Sequence, residues 1–139
     1  TDVWTQKANF NGAARLLATG FSIGNKGYLG AGINGTADTC YYDFWEYDPA
    51  VDTWTQKADF FSGMASDKPV GFSIGNKGYI GTGINVCLTW SGEPNFAMYD
   101  PTTDTWQFIS DPFGIWLDGL TIQVVWIVFV IHHTSPEWI

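Results

Sequence analysis

The strongest constraint in this sequence is that it says nearly the same thing twice. The nine letters "GFSIGNKGY" stand at 20–28 and again at 71–79, 51 positions on. "WTQKA" occurs at 4–8 and 54–58, and "YDPAVDTW" at 47–54 is answered by "YDPTTDTW" at 99–106. A period near 50 residues means that each copy is one supersecondary unit, and that neighbouring units bury a shared core by stacking.

Each copy reads as four short strands. Residues 19–23 and 26–30 are β-compatible runs separated by Gly24-Asn25, the turn chemistry of a tight hairpin. A third strand over 43–47 ends at Asp48-Pro49, where proline cannot extend a ladder and aspartate can close a turn. A fourth covers 52–57. The second copy repeats the pattern at 71–74, 77–81, 96–99 and 104–108, and residues 3–6 read as a leading strand of the fourth type.

A four-stranded unit with apolar residues on both faces must stack on another, as blades do around a channel. The Gly-rich end of the second strand ("YLGAG", "YIGTG"), then Tyr-Asp-Pro, then a Trp seven residues after that Tyr, resembles the kelch repeat family. The resemblance covers residues 1–108, and departs from the family where one residue separates the glycines. The expected fold is therefore all-β, a partial β-propeller of about two four-stranded kelch-type blades (about 17–57 and 68–108) followed by an atypical apolar segment at 109–139. Closed propellers have about 4–8 blades. This chain is thus expected to be part of a longer propeller, to assemble with copies of itself into a ring, or to remain open. The letter-for-letter copies look most like bacterial kelch-type proteins, many of them exported and loosely described as galactose-oxidase-like. That resemblance alone implies an extracytoplasmic or secreted protein.

A third "GFSIGNKGY" is due near 123, but "QVVWIVFVI" stands at 123–131. The 13 residues 119–131 carry no Lys, Arg, Asp or Glu, which is short of the ~18 that argue a membrane span. One buried strand or a pair of strands is the preferred reading. A short membrane-associated segment and a stretch not selected to fold are the alternatives.

Composition removes several function classes. Lys and Arg number 6 against 14 Asp and Glu, a net charge of −8 that repels phosphate backbones and anionic headgroups. No nucleic-acid partner is expected. Cys40 and Cys87 are too few for a disulfide scaffold, and the sequence leaves their bonding open, with free thiols the favoured reading. No histidine occurs in 1–108, so neither a Ser-His-Asp arrangement nor the copper site of a galactose-oxidase-like enzyme can be built from the repeats. His132 and His133 are adjacent and lie in the tail. Asp48, Asp52, Asp100 and Asp104 are read as turn closures rather than calcium ligands. Neither enzyme activity, cofactor nor metal is expected.

In a four-stranded meander the short links fall on one rim and the long ones on the other. The long links (7–18, 32–42, 57–70 and 83–95) also differ between the copies, and long loops on a rigid scaffold are where binding usually resides. Asp38, Tyr41, Tyr42, Trp90 and Glu93 are the candidate binding residues, since rings beside carboxylates suit stacking and hydrogen bonding to a sugar, or anchoring of a protein partner. The competing reading of the same aromatics is plain packing.

Overall fold

A computed structural model describes residues 2–36, 39–61, 68–85, 87, 91–92 and 96–109. Two antiparallel four-stranded sheets form, each a repeat unit. The first is β1 (Thr19–Ile23), β2 (Lys26–Gly30), β3 (Phe44–Asp48) and β4 (Thr53–Lys57), ordered β1-β2-β3-β4. The second contains β5 (Val70–Ile74), β6 (Lys77–Gly81), β9 (Phe96–Asp100) and β10 (Thr105–Ile109), with a small extra hairpin, β7 (Ile84–Asn85) and β8 (Ser91–Gly92), inserted in its longest loop. The eight main strands lie within one residue of the positions read from the sequence. No helix among the described residues is long and apolar enough to cross a membrane. Residues 109–139 were expected to add strands; apart from Ile109, the end of β10, they lie outside the described residues.

One expected strand is absent. Residues 3–6 pair with nothing among the described residues, and Val3 and Trp4 are 83% and 97% exposed. A strand of the fourth type needs a third strand beside it, as β4 has β3, and the described residues offer none to this segment.

The two sheets meet face to face, with β1 beside β5 and β6. Phe44, Tyr99 and Ile80 are fully buried in the seam with Tyr28 and Ile23, and Phe21 and Trp106 pack around them. Each fully buried side chain of this size contributes on the order of 1.5–3 kcal/mol. The rings meet edge to face, Phe44 on Tyr99 at 4.8 Å and on Trp106 at 4.9 Å. Close approach depends on Gly78, because a Cβ there would come within 2.3 Å of the Phe21 ring. Glu46 enters the seam as a charge but is fully engaged. It accepts from Lys26 Nζ at 2.6 Å and from the Tyr28 hydroxyl at 2.7 Å.

Farther out, the chain between the blades acts as a latch. Asp104 Oδ1 accepts the Ala58 amide at 3.0 Å and the Tyr99 hydroxyl at 2.7 Å, while Trp106 Nε1 donates to the Ala58 carbonyl at 2.8 Å. Fifty residues earlier the arrangement is the same. Asp52 Oδ1 accepts from Ala8 N and Tyr47 Oη, and Trp54 Nε1 donates to the Ala8 carbonyl. The four repeat aspartates therefore divide into two roles. Asp48 and Asp100 close turns on the amides of Ala50 and Thr102, as expected. Asp52 and Asp104, expected to do likewise, instead hold the linker that enters their blade.

Unusual backbone geometry is copied too. Positive φ recurs in register at Leu17 and Lys68, Ala31 and Thr82, Gly32 and Gly83, and Asp52 and Asp104. Ala31-Gly32 and Thr82-Gly83 thus occupy the left-handed positions that suit a glycine doublet. Thr82, being β-branched, is strained there by roughly 1–2 kcal/mol.

The latch yields a prediction. Asp104→Ala leaves the buried Tyr99 hydroxyl and the Ala58 amide without their acceptor, and is expected to cost about 2–4 kcal/mol in urea unfolding. Asp104→Asn keeps an acceptor and tolerates positive φ, so it should cost less than half as much.

Candidate functional site

The long-loop rim of the first blade is built by tying three segments together. Linker residue Leu16 pairs with Ile33 through two backbone bonds of 2.8 and 2.9 Å, and Ile33 bridges on to Cys40. Tyr41 N donates to Gly32 O at 2.9 Å, folding the loop after β2 back on itself. Gly32, at φ +98°, lies so close to the linker that a Cβ would come within 2.6 Å of the Leu16 carbonyl.

Arg15, the chain's single arginine, is the cationic centre of this rim. Its side chain is only 4% exposed. Nη1 and Nη2 grip the two oxygens of Asp43 at 2.7 Å each, Nη1 also donates to the Ala31 carbonyl, and Nε donates to Ala13 O. The guanidinium lies over the rings of Tyr41 (4.5 Å) and Phe10 (5.1 Å). Trp45 Nε1 donates a further bond to Asp43 Oδ2 at 2.6 Å. Burial by itself would raise the Asp43 pKa, but the bonds from Arg15 and Trp45 outweigh it and hold the carboxyl below its usual value. With a bidentate partner and a carbonyl acceptor, this guanidinium positions the loops rather than awaiting an anion.

A disulfide joins Cys40 to Cys87, with Cα atoms 6.1 Å apart, across the loops that follow β2 and β6. The favoured reading of free thiols is therefore corrected. Residues 47 apart in sequence are brought together by the stacking of two blades, a proximity that cysteine spacing cannot reveal.

The structure places two of the five expected binding residues. Tyr41 is half-buried under Arg15. Tyr42, also half-buried, packs its ring on Phe60 at 5.7 Å, and its carbonyl accepts the Phe60 amide. Asp38, Trp90 and Glu93 lie outside the described residues, as do His132 and His133. Arg15, Asp43 and the Cys40–Cys87 bond are the rim features that sequence reading passed over. A lone arginine in a non-repeated loop was the available signal. Among the described residues, no three His, Cys, Asp or Glu side chains are grouped to hold a metal.

Two stacked antiparallel meanders, the outer strand of the first leading to the inner strand of the second, define two blades of a kelch-like β-propeller. Among solved structures, YjhT has this architecture: its structure matches with a TM-score of 0.67 at 19% sequence identity, over 80% of this chain and 42% of YjhT. The chain thus corresponds to less than half of that protein's length. No family model and no curated protein matches the sequence.

Two predictions follow from the rim and seam. Closing a loop of this length is worth about 4 kcal/mol in the chain-entropy account, so Cys40→Ser with Cys87→Ser should lower stability by about 2–4 kcal/mol in urea unfolding. Peptide mapping without reductant should recover the 40–87 linkage. Acid should also weaken the fold. The Ala8 amide first, then Tyr47, lowers Asp52, and Lys77 first, then Thr102, brings Asp100 down to about 2. Glu46 and Asp104 are lowered because their hydrogen bonds outweigh burial. Depressed folded pKa values give stability that is complete above the unfolded carboxylate range near pH ~4 and is lost as pH falls through the folded values. The urea midpoint should accordingly hold from about pH 7 to 5 and drop between about 4 and 2. A flat profile across that acid range would contradict these carboxylate bonds.

Proposed function

We propose that this chain is a non-catalytic segment of a kelch-like propeller that binds a partner, glycan or protein, through its long-loop rim. The supporting observation is a division of labour. The first two strands of each blade are copied almost letter for letter, while the rim loops differ between copies and are tied in the first blade by Arg15–Asp43 and the Leu16–Ile33 bridge and across the blades by the disulfide. Rigid loops on a repeated scaffold suit recognition because little ordering entropy is lost on binding. Among the described residues Tyr41 and Tyr42 carry this proposal, which extends to Asp38, Trp90 and Glu93 on the grounds of their sequence positions in the long links. An extracytoplasmic location agrees with a disulfide that is the chain's sole cysteine pairing.

A second reading is a segment of a kelch-fold enzyme acting on sugars, of the sialic-acid mutarotase kind, with its catalytic residues in blades beyond this chain. Its support is that the matched part is only 42% of YjhT, so the same two-blade unit occurs inside a larger propeller. A scaffold role for these blades alone is the third.

A panel of immobilised glycans, including N-acetylneuraminic acid, separates them. The binding reading expects retention on at least one glycan, weakened about tenfold or more by Tyr41→Ala while the melting temperature changes little. Accelerated anomer exchange of N-acetylneuraminic acid in NMR would favour the enzyme instead. Neither binding nor exchange, together with no bound protein partner, leaves the scaffold role.

A further inference from the structure

Two Asn-Gly pairs, Asn11-Gly12 and Asn34-Gly35, stand in the long links of the first copy. Such a pair is open to attack by the backbone on the side chain, because glycine lacks the Cβ that would keep its amide nitrogen away from the asparagine Cγ. The other five asparagines precede Lys, Val or Phe.

Asn34 heads the loop after β2, one residue beyond the Ile33 bridge. Its amide donates to the Thr39 carbonyl at 3.0 Å, and its Oδ1 accepts the Thr39 amide at 3.3 Å. Only the oxygen end of a carboxamide can accept from an N–H, so Cγ is held with its oxygen toward a donor. That donor draws electron density from Cγ and stabilises the negative oxygen that forms when a nucleophile adds there. Gly35 and Thr36 form an exposed turn, and nothing lies within 4 Å of where a Cβ on Gly35 would stand. The Gly35 nitrogen therefore has room to swing, and water can reach the product.

Asn11 has the same following residue but a pinned backbone. Ala8 is bonded through both of its polar groups, Phe10 packs on Trp45 and Trp54, and the Ala13 carbonyl accepts Arg15 Nε. A Cβ on Gly12 would come within 2.5 Å of the Phe10 ring and 3.0 Å of the Trp45 indole nitrogen. In the second copy, Asn85-Val86 stands where the first has Asn34-Gly35, and β-branched valine crowds its own amide.

We infer that Asn34 is a site of spontaneous covalent modification, a deamidation that the fold directs to this residue and away from Asn11. The Gly35 nitrogen adds to Asn34 Cγ, the Cγ–Nδ2 bond breaks, and Nδ2 leaves as ammonia with the proton that Gly35 gives up. Water then opens the five-membered imide at either carbonyl, giving aspartate or isoaspartate. Either product adds a carboxylate to a rim whose single arginine is already paired with Asp43. Isoaspartate also lengthens the main chain by a methylene between the Ile33 bridge and Cys40.

The test incubates the whole oxidised chain in mildly alkaline buffer beside the same chain reduced and unfolded in urea. Both Asn-Gly peptides are followed by mass, as acid replaces amide, and by enzymatic methylation of isoaspartate. Unfolded, the two pairs should convert at similar rates, since only local sequence acts. Folded, the ratio of the Asn34 rate to the Asn11 rate should rise at least about tenfold. Gly35→Ala has room for its Cβ and needs no left-handed φ, so it should keep the fold and slow conversion of Asn34 at least about tenfold. A folded chain in which Asn34 stays intact overturns the inference, and so does a ratio no higher than that of the unfolded chain, a comparison that stands even if Gly35→Ala does not fold.

Discussion

The contact on which the two-blade arrangement depends is the linker latch. Sheets that meet at β1 and β5 splay apart toward their outer edges, and something must occupy the wedge between them. The backbone of Ala58 does so with both of its polar groups engaged, its amide on Asp104 and its carbonyl on the Trp106 indole. Phe60 follows, 2% exposed, its ring against Trp106 and Tyr42. Without that clamp the aromatic seam would open to water from the outside. With it, linker, seam and rim form one connected unit, since Tyr42 belongs to the long-loop rim.

The latch also explains why the repeat contains the residues it does. Tyr, Asp and Trp of the Tyr-Asp-Pro-x-x-Asp-x-Trp pattern act jointly. The tyrosine hydroxyl and the incoming amide share the second aspartate, and the tryptophan lies on the tyrosine ring at 5.0 Å in both blades. The hydroxyl of Tyr47 is pushed up to about 12, first by its bond to Asp52, and Tyr99 is raised as well, by burial and by Asp104. Both therefore remain donors across the physiological range, and the motif behaves as a fixed hydrogen-bonding unit rather than a titrating one.

The rim follows a different logic. The ion pair there is not duplicated: in the second copy, Ser66 and Asn95 stand where the first has Arg15 and Asp43. The bidentate pair in the first blade is local, whereas the disulfide spans the two blades and makes their loops a single surface. A rim assembled from unlike loops on like blades is the consequence.

Strand positions, blade order and the all-β class were legible because period-2 strands, Gly-Asn and Asp-Pro turns and an exact nine-residue copy are local signals, each readable within a few residues. The short-rim roles of Asp48 and Asp100 were legible for the same reason. What the sequence could not disclose depends on how segments far apart in the chain meet. Asp52 and Asp104 bind amides 44 and 46 residues away and Arg15 reaches 28 residues to Asp43, because each linker folds back onto its blade, while Cys40 meets Cys87 because the blades stack. Residues 4–6 have the same letters as 54–56 in β4 but no ladder among the described residues. A β-strand is defined by its partner, so its sequence can prepare it while only the tertiary structure decides whether it forms.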